Sequence, residues 1–290
     1  QRTPYWSDYQ TNEQYFGLLS FDPGEEKSVC YVDGDLSEWT GEDKLFDTGS
    51  RALSMKYDER FIYLLAYEKG FAEGEKTLYL PIDTTPATGS TYCENYDLRF
   101  ERAADFVLTL DKADNSRLLV QDRYEVLRAM FYHETHGEDA YLDPPDIDTP
   151  LFKPVNLMLQ TATPLLTGNW QASAEIYETG KLSYGNANPA APDYSSLADF
   201  IFAGDYVEIK LPWQLLNFAD PSRMTIHDDY YDDNYGVEYI TIDTIYLGLT
   251  DGTAESRAAL YPAALKGWGN KVTYHERLKP SYYIMQALWR

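Results

Sequence analysis

Three groups of residues have types and spacings suited to chemistry. His133-Glu134-Thr135-His136 offers two imidazoles and a carboxylate to a zinc ion. The two histidines lack the four-residue separation that sets two ligands and a base on one helix face, and no third ligand is evident, so a solvated loop is the expectation. His227-Asp228-Asp229-Tyr230-Tyr231-Asp232-Asp233-Asn234-Tyr235 supplies densely spaced oxygen donors for calcium. Asp228, Asp229, Asp232 and Asp233 are the candidate ligands, without the glycine and closing glutamate of an EF-hand loop. The alternative is a solvated acidic loop, and Asp143, Asp146 and Asp148 form a second such set.

A glycosidase needs two carboxylates at a fixed separation, one of them carrying a proton. With 47 acidic residues, such pairs arise by chance, and composition gives that role no support. Glu208 and Glu175 are the candidates, both in strand-like sequence and both expected to face solvent. No glycine-rich phosphate loop, nucleophile elbow or zinc ribbon is present, and the expectation is a protein that is not an enzyme.

The third group is aromatic. With 26 Tyr, 12 Phe and 6 Trp the chain suits sugar stacking, but half-exposed strands favour tyrosine equally, so the count alone does not choose. Trp39 and Trp213 are assigned to the core. Trp268, between Gly267 and Gly269, belongs to a loop and is open to either role.

A formal charge of −23 repels phosphate backbones and anionic surfaces and argues against nucleic acid as a partner. No apolar run is long enough to cross a bilayer, so no direct membrane insertion is expected. No signal peptide precedes Gln1, and the abrupt start reads as a processed or excised piece of something longer. Cys30 and Cys93 either form one bridge or remain two thiols.

The elements that must position these groups are strands. Leu53, Met55 and Tyr57 alternate with polar residues, Asp58-Glu59-Arg60 turns the chain, and Phe61 to Tyr67 is apolar on both faces, as in a central strand covered on either side. Leu78, Leu80 and Ile82 share a face up to Asp83. Leu98 and Phe100 lead to Phe106, Leu108 and Leu110, and Lys112-Ala113-Asp114-Asn115 turns into Leu118-Leu119-Val120. Strand-like Asn156 to Gln160 and Ser173 to Tyr177 lie among proline-rich loops. Val207, Ile209 and Leu211 face the core with Tyr206, Glu208 and Lys210 opposite, and Pro212 opens a short helical turn. Ile240 and Ile242 have one parity, Ile245, Leu247 and Leu249 the other, which predicts a bulge or bend near Asp243. Val272 to Tyr274 is a candidate last strand. Tyr282, Met285 and Leu288 recur at helical spacing, and that stripe is expected to pack on the core.

The fold class that follows is all-β, an antiparallel β-sandwich of jelly-roll type with short N- and C-terminal helical segments and loop insertions. Residues 1–28 form a lead-in with a helix from Asn12 to Leu19, 29–275 the sandwich with an insertion around 123–199, and 276–290 a closing helix.

Four segments resemble the family-nine carbohydrate-binding modules and their DOMON-like relatives. They are Val32-Asp33-Gly34-Asp35-Leu36-Ser37-Glu38-Trp39, Arg51 to Tyr67 with its Tyr57-Asp58-Glu59 turn, Leu78 to Asp83 leading to Leu98-Arg99-Phe100, and Tyr206 to Trp213. The resemblance implies an extracellular or cell-surface sandwich, non-catalytic, attached to a larger parent protein and holding a glycan or polysaccharide between aromatic rings at one end. One clamp aromatic of that family lies roughly ten residues before the Asp closing the third segment, which falls near Glu73 with Phe71 close by. The second follows the Pro-Trp segment on a late loop, where Trp268 stands. Phe71, Glu73, Trp170 and Trp268 are therefore the candidate sugar-binding residues. A structural or interaction domain of an envelope protein without sugar binding is the alternative, and a glycoside-active enzyme the third reading. A haem-binding role through Met55 or a histidine gains nothing from the spacing.

Overall fold

The computed structural model describes residues 30–126, 144–161, 163–164, 171–232, 238–253, 257–269 and 280–289. The chain divides into two units, residues 29–269 and, separately, 1–28 with 270–290.

The first ten strands are β1 Lys44–Asp47, β2 Arg51–Tyr57, β3 Phe61–Glu68, β4 Leu78–Asp83, β5 Ser90–Cys93, β6 Leu98–Ala104, β7 Phe106–Leu110, β8 Arg117–Gln121, β9 Phe152–Pro154 and β10 Asn156–Gln160. They are followed by β11 Thr163–Pro164, β12 Gln171–Ala172, β13 Glu175–Glu178, β14 Phe200–Ala203, β15 Tyr206–Pro212, β16 Phe218–Asp220, β17 Thr225–His227, β18 Tyr239–Thr241, β19 Thr244–Gly248 and β20 Leu260–Ala264. Two antiparallel sheets carry the fold, one ordered β1-β2-β3-β15-β14 and the other β20-β19-β4-β7-β8-β9.

The period of two along each strand builds the core. Ile62, Leu64 and Ala66 of β3 and Val207, Ile209 and Leu211 of β15 share one apolar cluster with Leu78, Leu80 and Ile82 of β4, Leu108 and Leu110 of β7 and Ile245 and Leu247 of β19. Each Val, Leu or Ile side chain among these, fully removed from water, contributes about 1.5–3 kcal/mol.

Both sheets are also covered on their outer faces. Tyr63 of β3 packs outward with Cys30, Val32, Ala187 and Ala198, so the opening segment and the loop before β14 cover the first sheet. Val107 of β7 and Leu119 of β8 pack with Cys93, Leu98 and Phe100, which places the β5-β6 hairpin over the second. The two-sided apolar run predicted for Phe61 to Tyr67 is a central strand for this reason.

Several expectations are refined. The parity change near Asp243 is a change of sheet: β18 pairs with β17, whereas β19 pairs with β4 and β20. β20, which pairs with β19, carries Pro262 and had no alternating signature. Cys30 and Cys93 are buried thiols in different clusters, so the one-bridge alternative falls away. The helix Pro280–Leu288 is present, and its Met285 and Leu288 are exposed. The Asn12 to Leu19 helix and the Val272 to Tyr274 strand lie outside the described residues.

Candidate functional site

A cleft of about 940 Å³ is lined by residues from several distant segments. Tyr124, Glu125 and Val126 come from the turn after β8, Asn156, Leu157 and Met158 from β10, and Gln214, Leu215, Asn217 and Phe218 from the chain leaving β15. His227 and Tyr239 complete it from β17 and β18.

Local chemistry fixes these positions. After Pro212 the chain makes a 3-10 turn, Trp213–Leu216. Trp213 is fully buried and donates its indole N–H to the Asp58 carbonyl at 2.9 Å, which leaves Gln214 exposed toward the cleft. Asn217 ends the turn at φ 60°, a left-handed conformation that asparagine tolerates. Its side-chain amide donates to the Tyr124 carbonyl at 3.1 Å, and its own carbonyl accepts from His227 N at 3.0 Å. The Tyr124 hydroxyl donates to the His227 carbonyl at 2.6 Å, so three cleft residues hold one another in place.

His227 is half-buried, and desolvation holds its pKa below the ordinary histidine value. A neutral imidazole presents one donor and one acceptor. Nδ1 lies 3.3 Å from the Tyr230 hydroxyl, and the ring centroid is 5.0 Å from that of Tyr239. Tyr239 is 52 % exposed. Among the described residues, the Tyr239 hydroxyl, His227 Nε2 and the Gln214 amide have no protein hydrogen-bond partner. The cleft thus combines apolar walls, an exposed aromatic ring and uncharged polar groups with unused hydrogen-bonding capacity. Its charged lining residues are Glu125 and Asp199.

The residues named from the sequence are distributed otherwise. Phe71 is fully buried and meets Phe202 edge-on at 5.5 Å, so its ring is a core ring. Glu73 is exposed, and its N–H donates to the Gly204 carbonyl in the turn before β15. Trp268 is half-buried on the core, 6.0 Å from Trp213, beyond the other end of β15. A seven-residue strand separates the two groups, about 20 Å of chain. The structure therefore does not bring Phe71 and Glu73 together with Trp268, and Trp170 lies outside the described residues.

Asp229 is buried, and its Oδ2 accepts from Arg123 Nε at 2.8 Å and pairs with Arg123 Nη2 at 2.7 Å. The guanidinium neutralises that carboxylate. Asp228 accepts from Asp229 N at 2.9 Å, Asp232 is exposed, and Asp233 lies outside the described residues. Among the described residues no three His, Cys, Asp or Glu side chains gather as a metal-ligand set. His133, Glu134, His136 and Asp143 fall outside that range, and Asp146 and Asp148 are exposed.

Glu208 corrects the solvent-facing expectation: it is fully buried, whereas Glu175 is exposed as expected. Oε1 accepts from Trp39 Nε1 at 2.7 Å, and Oε2 accepts from Gly34 N at 2.7 Å and Asp33 N at 3.2 Å. Desolvation raises its pKa against the opposing pull of these donors. Gly34 sits at φ 85°, which its lack of a Cβ permits. The Asp-Gly turn and Trp39 are thereby fastened to the outer face of β15, a structural role.

A second buried acid, Asp105, accepts from Thr84 N at 2.7 Å, Thr85 N at 2.9 Å and Thr88 Oγ1 at 2.6 Å, shaping the loop after β4. Burial, then the charge of neighbouring Asp83, pushes its pKa up to about 7. Asp83 is paired with Arg102, whose guanidinium lies 3.7 Å from the Tyr246 ring centroid.

The cleft residues left little trace in the sequence, because they join only after folding. The one local signal is His227, at the head of the acidic segment 227–235. Comparison with protein-family models, with curated proteins and with solved structures finds no match to this chain.

Proposed function

We propose that this chain is a non-catalytic, extracytoplasmic glycan-binding domain and that the cleft around His227 and Tyr239 is where the sugar lies. The observation that carries the reading is an exposed tyrosine ring beside unused, uncharged hydrogen-bonding groups on apolar walls. A pyranose presents an apolar C–H face to such a ring while its hydroxyls meet amide, phenol and imidazole. The resemblance to family-nine modules supports the class of ligand, while the cleft replaces Phe71, Glu73 and Trp268 as its place.

A glycan array followed by calorimetry tests the proposal. The expected result is binding to at least one glycan class, weakened ten-fold or more by Tyr239→Ala and by Gln214→Ala with unchanged melting temperature. Absence of binding across neutral, amino and acidic glycans would sink it.

A second reading, an interaction domain of a larger envelope protein, is favoured by the β10-β13 hairpin. Leu157, Leu159, Ile176 and Tyr177 there are 51, 56, 47 and 60 % exposed. Retention of a partner fragment of the parent protein, lost in Leu159→Ser with Tyr177→Ser, would support that reading.

A further inference from the structure

The helix Pro280–Leu288 carries no charged side chain. Ile284, Met285 and Leu288, with Trp289 just beyond, expose 59, 43, 73 and 80 % of their surface. At 100° per residue these four positions fall within one stripe of roughly 140°. An apolar stripe of that width on a helix is stable in water only when something covers it.

Length and charge together indicate what does. Nine residues rise about 13 Å, less than half of a hydrocarbon core of about 30 Å. Among the described residues no helix is long and apolar enough to cross a membrane. Lys279 and Arg290 bracket the segment, and across residues 271–290 Lys271, Arg277, Lys279 and Arg290 stand against Glu276 alone. That stretch carries +3 within a chain of −23, so the other residues carry −26. A second copy of the helix would bring +3 against +3. An anionic surface attracts the same charges, and repulsion from distant acids is screened beyond about 8 Å at physiological salt. Tryptophan is at home at headgroup depth, and flanking lysine and arginine reach phosphates while their stems stay in apolar surroundings.

We propose that the Pro280–Leu288 helix lies flat in the interface of an anionic lipid bilayer, with Ile284, Leu288 and Trp289 in the acyl boundary, and that the basic residues next to it in the sequence favour anionic over neutral headgroups. The helix adsorbs to the membrane and does not span it.

Sedimentation of the full chain with phosphatidylcholine vesicles, and with vesicles one-third phosphatidylglycerol, tests this. The expected result is co-sedimentation with the anionic vesicles, at least ten-fold weaker with neutral ones. Ile284→Ser with Leu288→Ser abolishes it, and Lys279→Gln with Arg290→Gln lowers it several-fold, both with unchanged melting curves. Failure to bind anionic vesicles overturns the proposal. So does a concentration-dependent dimer, seen by analytical ultracentrifugation and lost in the double-serine variant, which would make a second copy the occupant.

Discussion

Glu208 Oε1 accepts the indole N–H of Trp39 at 2.7 Å across 169 residues of sequence, joining the opening turn of the sandwich to the outer face of β15. Removing the carboxylate orphans that indole and the backbone N–H groups of Asp33 and Gly34. Glu208→Ala is expected to cost about 3 kcal/mol and Trp39→Phe about 1 kcal/mol. Urea midpoints at constant slope check both, and a loss below 1 kcal/mol for Glu208→Ala would show that the turn is held by other contacts.

Stability and the proposed glycan binding are expected to separate at the aromatic rings. Phe71→Ala empties a fully buried site and is expected to cost about 3–5 kcal/mol without changing glycan affinity. Tyr239→Ala, at a half-exposed ring, is expected to stay within about 0.5 kcal/mol of the parent while binding falls. Paired chemical melts and calorimetry on the two variants distinguish a core ring from a ligand ring.

These contrasts show what the sequence made legible. The hairpin of β2 and β3 was readable because alternation, a turn at Asp58-Glu59-Arg60 and a two-sided apolar run agree locally. Glu208 was misread because alternation reports the side of a strand and not what covers that side, and here Trp39 and the Asp33-Gly34 turn cover it. Phe71 was misplaced because a spacing taken from a resemblance fixes a position along the chain and not an exposure. The cleft stayed hidden because Tyr124, Gln214, His227 and Tyr239 come together only through the pairing of β17 with β16 and β18 and the bonds among Tyr124, Asn217 and His227.

Asp105 makes stability depend on pH in a definite direction. Its pKa stands at about 7 in the fold, chiefly through burial, against 3.8 ordinarily. The folded chain therefore holds a proton that the unfolded chain releases between those values, and the contribution, complete below about pH 4, is lost as pH rises through 7. The unfolding free energy is expected to fall by on the order of 1–3 kcal/mol from pH 5 to pH 8, and the melting temperature to fall with it. Asp83→Asn removes the neighbouring charge and is expected to flatten the profile. A melting temperature that rises across this window would contradict the assignment.

Both thiols are expected to be inert in the native state. Burial, and then the Glu208 carboxylate, raises the Cys30 pKa, while burial pushes that of Cys93 up to about 11. The thiolate is the reactive form. A thiol reagent at pH 8 should label neither residue in the folded chain and both in denaturant, and rapid native labelling of either would refute this.

The Arg123 to Asp229 pair sets an expectation for ions. With the guanidinium in place, calcium or chelator is expected to leave the melting temperature unchanged, since a ligand bound only to the fold must shift it. Asp229→Ala leaves the arginine without its buried partner and is expected to cost about 3 kcal/mol.

The burial of β3 and β7 on front and back decides where this protein is at liberty to change. From Ile62 to Ala66 and along all of β7 neither strand has a side that water reaches, so a library of random variants should retain hardly any polar replacement there. Tolerance gathers instead in the loops and turns, among them the stretches after β8 and β15 that supply part of the cleft. Sequence change can accumulate there while the frame beneath stays constant.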